Sequence, residues 1–207
     1  MADDMILIGQ YVSPFARRVA VTLTLYGLPF THSPYRTAAD AAAIAKLNPL
    51  GRIPVLQLPG GEVIVDSAMI VDYLDEQVGA ARALIPPTGK ERQRINRVVA
   101  IAMGTCDKYV QAYYESTRRP AEKVWQGWLD HLGGQVAAAL AALDRECSAP
   151  WFMGDRMTHA DIAMVCTFQA IEFDMAHLVP AGKYPKLEAL CAHAMELPAF
   201  AETYPAE

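Results

Sequence analysis

Two domains in tandem are predicted, a small α/β domain over residues 1–79 and an all-α domain over residues 90–207, joined by a linker at about 80–89. Three observations lead there. Strand and helix patterns alternate over the first eighty residues, the strand patterns stop at Gly79, and from Lys90 onward the apolar period is helical. Pro120, Pro150, Pro180, Pro185 and Pro198 divide that second half into segments, because proline neither continues a helix nor donates to one.

Within the first domain, Met5–Ile8 reads as a strand and runs into Ser13-Pro14. Serine is favoured at a helix N-cap and proline at the first helical position, whose N–H has no intrahelical partner, so a helix is expected over Pro14–Tyr26 with Gly27-Leu28-Pro29 as its stop. Phe30–Ser33 forms a second strand before Pro34, and Ala38–Leu47 an alanine-rich helix that ends at Asn48-Pro49. Val55–Leu58 and Val63–Val65 flank Pro59-Gly60-Gly61-Glu62, a hairpin turn. Ile70, Tyr73, Leu74 and Val78 then mark one apolar helix face. This order implies a small mixed sheet with helices on its faces and an antiparallel edge from the hairpin. The second domain reads as helices over Glu91–Glu115, Ala121–Cys147, His159–His177 and Tyr184–Met195, with Trp125, Trp128, Trp151 and Phe168 assigned to its core.

Composition narrows the function. With 53% apolar residues the 207-residue chain has ample material for buried cores, and its net charge of −5 opposes a nucleic-acid or anionic-membrane partner, which needs a concentrated basic patch. The densest basic stretch, Lys90 to Arg97, alternates with Glu91 and Gln93 and reads as a solvated face. Met1-Ala2-Asp3-Asp4 is acidic, without the basic start of a signal peptide, and no apolar run is long enough to span a membrane. Cys106, Cys147, Cys166 and Cys191 are widely spaced with no CxxC pair, as expected of reduced thiols in a cytoplasmic protein. The five histidines show no ligand spacing, so no metal is expected.

Three elements of the first domain carry the chemistry. Ser13 reads either as an ordinary cap or as a hydroxyl at the positive end of a helix, where an anion is stabilised. Pro54, in Gly51-Arg52-Ile53-Pro54-Val55, reads either as a plain strand-initiating proline or as a cis residue that turns the Ile53 backbone outward to pair with an extended ligand. Asp66-Ser67 opens another helix, and either residue serves as its cap. In the functional reading the Ser67 hydroxyl and the adjacent N–H groups hold a carboxylate while Asp66 pairs with an ammonium group. Together they describe a site for a short zwitterionic thiol peptide whose sulfur points at Ser13.

Taken in order, Ser13-Pro14-Phe15 with Arg18, Asn48-Pro49-Leu50-Gly51-Arg52-Ile53-Pro54-Val55-Leu56, Asp66-Ser67-Ala68-Met69-Ile70, and Phe152-Met153-Gly154-Asp155 followed by Thr158-His159-Ala160-Asp161-Ile162-Ala163 resemble a cytosolic glutathione S-transferase over essentially the whole chain. The Ser-Pro-Phe form is similar to serine-type and small bacterial members. The resemblance implies a thioredoxin-like N-terminal domain that binds glutathione and an all-α helical bundle domain that completes the pocket for the electrophile. It implies Ser13 as the catalytic hydroxyl, Arg52, Ile53 and Pro54 beside the cysteinyl backbone, and Asp66 and Ser67 at the γ-glutamyl end. Thr158 and Asp161 form a T-x-x-D capping box, a structural pair. Asp40 stands where many serine-type members carry a basic residue for the glycyl carboxylate, with Arg36 or Arg52 as substitutes.

The expected function is conjugation of glutathione, as co-substrate and not cofactor, to small hydrophobic electrophiles in detoxification. Tyr11 and Val12, with Tyr109 and Tyr113 one helical turn apart, are the candidates to line the electrophile pocket. Cys106 is read as a structural thiol. The alternatives are a glutathione-dependent peroxidase and a non-catalytic binding or regulatory protein on the same scaffold. A hydrolase is opposed by the absence of a GxSxG elbow. By the same resemblance a homodimer is expected, with the helices starting at Ser67 and Glu91 meeting across a two-fold axis.

Overall fold

The computed structural model describes residues 4–205; Met1-Ala2-Asp3 of the acidic start, with Ala206 and Glu207, lie outside the described residues. The chain divides into two compact units, Met1–Pro86 together with Glu196–Glu207, and Pro87–Met195. The all-helical stretch expected to run to the C-terminus is therefore shorter, and its last segment belongs to the first unit.

In the first unit β1 (Met5–Ile8), β2 (Phe30–Ser33), β3 (Val55–Gln57) and β4 (Val63–Val65) form one sheet in the order β2-β1-β3-β4. β1 and β2 are parallel, and β1–β3 and β3–β4 are antiparallel, so the hairpin supplies the antiparallel edge. Helices α1 (Pro14–Tyr26) and α3 (Ser67–Val78) share a core with the sheet, built on Leu7, Val19, Leu23, Leu56, Ile70 and Leu74, all fully buried. The stop of α1 is Gly27, whose φ of 64° is the left-handed geometry that glycine adopts without a Cβ penalty.

Helix α2 covers Ala41–Leu47, starting later than the alanine run suggests. The Asp40 carboxylate accepts the Arg36 N–H at 2.7 Å and the Asp40 N–H donates to the Arg36 carbonyl at 2.9 Å, so residues 37–40 are committed to a turn. β3 ends at Gln57 because the Leu58 N–H turns to the Glu62 carbonyl.

The second unit contains α4 (Gly89–Thr117), α5 (Gln126–Glu146), α6 (His159–Met175) and α7 (Pro185–Ala194). α6 packs against α4 and α7 and is buried from His159 through Ile171, which explains why its sequence is apolar on all sides. The capping box forms at its start. Thr158 Oγ1 accepts from the Ala160 N–H at 3.2 Å, and Asp161 accepts from the Thr158 N–H at 2.7 Å. The Asp161 carboxylate also accepts the Phe152 N–H at 2.6 Å. Burial pushes this carboxyl above its ordinary range, and these donors oppose the shift.

The helix expected from Ala121 is broken. A 3-10 turn covers Ala121–Lys123, Val124 and Trp125 are extended, and α5 begins only at Gln126. The break is held by Glu115, whose Oε1 accepts the Trp125 N–H at 3.1 Å. Trp151 and Phe168 are buried as expected, but Trp128 is half-buried and Trp125 is 68% exposed, which corrects its assignment to the core. Its indole lies against Gly127, where a Cβ would stand 2.9 Å from the indole nitrogen. All four cysteines are buried and none is in a disulfide; burial pushes the Cys147 thiol up to about 11.

Candidate active site

The strand register brings three loops to one end of the sheet. Ile8, last in β1, pairs with Val55, first in β3, and Val55 pairs in turn with Val65, last in β4. The segments after Ile8, before Val55 and after Val65 therefore start side by side. They carry Ser13, Ile53-Pro54 and Asp66-Ser67.

Ser13 is the N-cap of α1. Its Oγ accepts the Ala16 N–H at 3.4 Å and its carbonyl accepts the Arg17 N–H at 2.9 Å, while Pro14 has no N–H to satisfy. That contact uses the oxygen as an acceptor and leaves the hydroxyl's donor unused, at the positive end of a 13-residue helix.

The Ile53-Pro54 bond is cis, the use that the strand-leading proline left open in the sequence. Ile53 is half-buried and Pro54 buried. The loop before them is held by Asn48, itself buried: its Nδ2 donates to the Arg52 carbonyl at 2.9 Å and its Oδ1 accepts the Leu50 N–H at 3.0 Å. Arg52 itself is exposed.

At the third loop Asp66, not Ser67, is the cap of α3, its Oδ1 accepting the Ala68 N–H at 2.8 Å. Its φ of 71° is the one positive value at a non-glycine among the described residues. Such backbone strain persists only where the surroundings impose it, and it collects at ligand clamps. Ser67 is buried and Asp66 exposed. Asp66 thus stays exposed at the start of α3 with one carboxylate oxygen bonded to the Ala68 N–H.

Sequence reasoning missed three residues that build this site. Gly9 has φ of 135°, and a Cβ there would stand 3.0 Å from the Ile53 Cβ and 3.2 Å from the Ala16 Cβ, so only glycine lets β1, the cis-proline loop and α1 approach this closely. His32 stacks on the Tyr11 ring at 3.9 Å, 4° from parallel, and its Nε2 lies 2.9 Å from the Gly9 carbonyl. Arg17 is 1% exposed, with Nη2 donating to the Phe200 carbonyl at 3.1 Å and Nε to Thr203 Oγ1 at 3.4 Å. A glycine between a strand and a helix cap is a local signal that could have been read; the roles of His32 and Arg17 depend on contacts with distant segments.

The remaining candidates divide by unit. Tyr11 and Val12 are half-buried beside Ser13 in the first, and burial raises the Tyr11 hydroxyl. In the second, Tyr109 is 1% exposed, with its hydroxyl donating to Asp174 Oδ2 at 3.4 Å, whereas Tyr113 is half-buried. Cys106 is buried with its sulfur 3.0 Å from Thr167 Oγ1. Asp40 is committed to the Arg36 turn, and Arg36 is exposed. Among the described residues no group of three or more His, Cys, Asp or Glu side chains is gathered to hold a metal ion, and no helix is long and apolar enough to cross a membrane.

Comparison with known proteins agrees with this architecture. Residues 12–77 match the glutathione S-transferase N-terminal domain family and residues 126–193 the C-terminal domain family. The chain is 31% identical to a maleylacetoacetate isomerase of Pseudomonas aeruginosa over 98% of its own length and 96% of that protein's. A glutathione transferase family member from Pseudomonas fluorescens Pf-5, solved with bound glutathione, is 33% identical with a TM-score of 0.88, covering 99% of this chain and 100% of that one. A glutathione S-transferase from Methylobacterium radiotolerans in complex with glutathione sulfonate is 27% identical with a TM-score of 0.92, covering 99% and 96%. With both family domains matched in order and relatives aligned from end to end, the chain belongs to the glutathione S-transferase family.

Proposed function

We propose that the protein binds glutathione at the sheet end and uses Ser13 to hold its sulfur as a thiolate for attack on small hydrophobic electrophiles. The observation that supports this reading is the convergence of the Ser13 hydroxyl, a cis Ile53-Pro54 bond and the Asp66 cap at positive φ at one end of the sheet. The Ile53 N–H and C=O pair with the cysteinyl backbone, with Arg52 and Pro54 on either side. Asp66 takes the γ-glutamyl ammonium group, and Ser67 with the first turn of α3 takes its carboxylate. The electrophile meets Tyr11 and Val12 beside the sulfur, both half-buried in the same unit as Ser13.

The energetics are sufficient. A free thiol titrates near pH ~8.5, and bringing it to about 6.5 requires roughly 2.7 kcal/mol of preferential thiolate stabilisation. A charge-assisted hydrogen bond from Ser13 supplies ~1.5–3 kcal/mol, and the α1 N-terminus up to ~2 kcal/mol. Neither has a wide margin alone. Ser13 is thus a donor to the thiolate and never a nucleophile. In Ser13→Ala the bound thiol should titrate about one to two pH units higher, read by ultraviolet absorbance of the complex, with glutathione affinity at pH 7 reduced about three- to fourfold, as proton linkage requires. A wild-type complex without thiolate at neutral pH overturns the mechanism.

A second reading keeps the thiolate and changes its fate. The maleylacetoacetate isomerase relative supports reversible addition: the sulfur adds to an activated C=C bond, the carbon–carbon bond rotates, and elimination returns the thiolate unchanged. Product analysis separates the two. Conjugation leaves the sulfur bonded to product, while isomerisation leaves the glutathione concentration constant. Turnover of cumene hydroperoxide would point to a peroxidase instead, and no retention on immobilised glutathione to a binding protein of another kind. A homodimer is part of the proposal, supported by the exposed apolar side chains of Leu50 and Met69, 74% and 57% exposed, and is checked by mass in solution.

A further inference from the structure

The break between α4 and α5 leaves a groove of about 480 Å³ on the second unit, lined by Gln111, Tyr114, Arg118, Pro120 and Trp128. Its floor is organised by the buried Glu115, whose carboxylate accepts from Arg119 Nε at 2.8 Å and from the Trp125 N–H at 3.1 Å. That ion pair neutralises itself. Arg118 is different: its guanidinium lies 3.6 Å from the centroid of the Tyr114 ring, and among the described residues no carboxylate pairs with it. Stacking on an aromatic face holds the planar fork in place without using its in-plane donors.

The walls are aromatic as well as cationic. Tyr114 is 36% exposed and Trp128 half-buried, its indole backed by His131 with ring centroids 5.3 Å apart, so neither ring needs to reorganise to receive a flat partner. We infer that this groove is a binding site for planar aromatic carboxylates, with the ring against Trp128 and the carboxylate on the Arg118 fork. The inference stands apart from the glutathione reading, because it concerns residues of the helical unit alone and needs no thiol.

The test uses the full-length protein without glutathione and two probes of equal shape, 2-naphthoate and the neutral 2-naphthalenemethanol, titrated by calorimetry. The wild type should bind naphthoate about tenfold more tightly than the alcohol, and Arg118→Gln should reduce that preference to near unity while leaving affinity for the alcohol within about twofold. Trp128→Leu should weaken both probes alike. Equal binding of the two probes by the wild type overturns the proposal. So does an undiminished preference in Arg118→Gln, or complete displacement of naphthoate by S-hexylglutathione in a variant-insensitive manner, which would place the probe at the thiol site.

Discussion

Asp66 shows how much of a site can rest on one backbone angle. Read as sequence, Asp66 and Ser67 were equal candidates to cap α3; a φ of 71° and the 2.8 Å bond to the Ala68 N–H decide for Asp66. Asparagine tolerates that conformation and retains an acceptor for the Ala68 N–H, but it carries no charge to form an ion pair with an ammonium group. Asp66→Asn should therefore leave urea stability within about 0.5 kcal/mol of wild type. The same change should raise the KM for glutathione about tenfold without moving the titration of the bound thiol. Asp66→Ala should lose about 1–3 kcal/mol of stability as well, because it removes the cap and places a Cβ-bearing residue without local hydrogen bonding at positive φ. A thiol titration shifted by Asp66→Asn would assign this carboxylate to the sulfur instead of the amino-acid end.

At the scale of elements, the capping box before α6 was legible in T-x-x-D spacing, and β1, α1, β2 and β4 have the bounds their sequence patterns imply. Those elements are specified locally, by a cap, a stop or alternation. What escaped were effects that depend on side chains from other segments: Asp40 shortening α2 through Arg36, Glu115 interrupting the helix expected from Ala121, and Asp161 reaching back to the Phe152 N–H. The last makes the two halves of the box unequal. Thr158→Ala loses an ordinary cap and should cost about 1–2 kcal/mol. Asp161→Ala leaves the buried N–H groups of Phe152 and Thr158 without acceptors, and at ~1–3 kcal/mol for each should cost about 2–6 kcal/mol in total. Urea denaturation of the two variants checks the order, and equal losses would mean that the contact to Phe152 contributes nothing.

Over the whole molecule, the arrangement least visible in the sequence is the return of the C-terminal segment to the first unit. Helix α8 (Pro198–Ala201) is a single turn with no period to detect, and its partner on α1 is a charged side chain that sequence reasoning places at a surface. Yet Arg17 is 1% exposed, two of its nitrogens donate to the Phe200 carbonyl and Thr203 Oγ1, its Nη1 has no partner, and the Tyr204 ring lies 5.3 Å away. A guanidinium cannot shed its proton, so the cost of burying it is tolerable only while those acceptors are present. Removing residues 196–207 should therefore destabilise the first unit by several kcal/mol, far more than the loss of a one-turn helix would suggest. Replacing the charge separates electrostatics from packing. Arg17→Met should cost less than the truncation in the full-length protein, and combined with the truncation it should recover about 2 kcal/mol or more of the loss, because no unpaired cation is then exposed to the core. Urea unfolding of the truncated chain with and without Arg17→Met measures that coupling, and strictly additive losses would show that the segment acts by covering apolar surface alone.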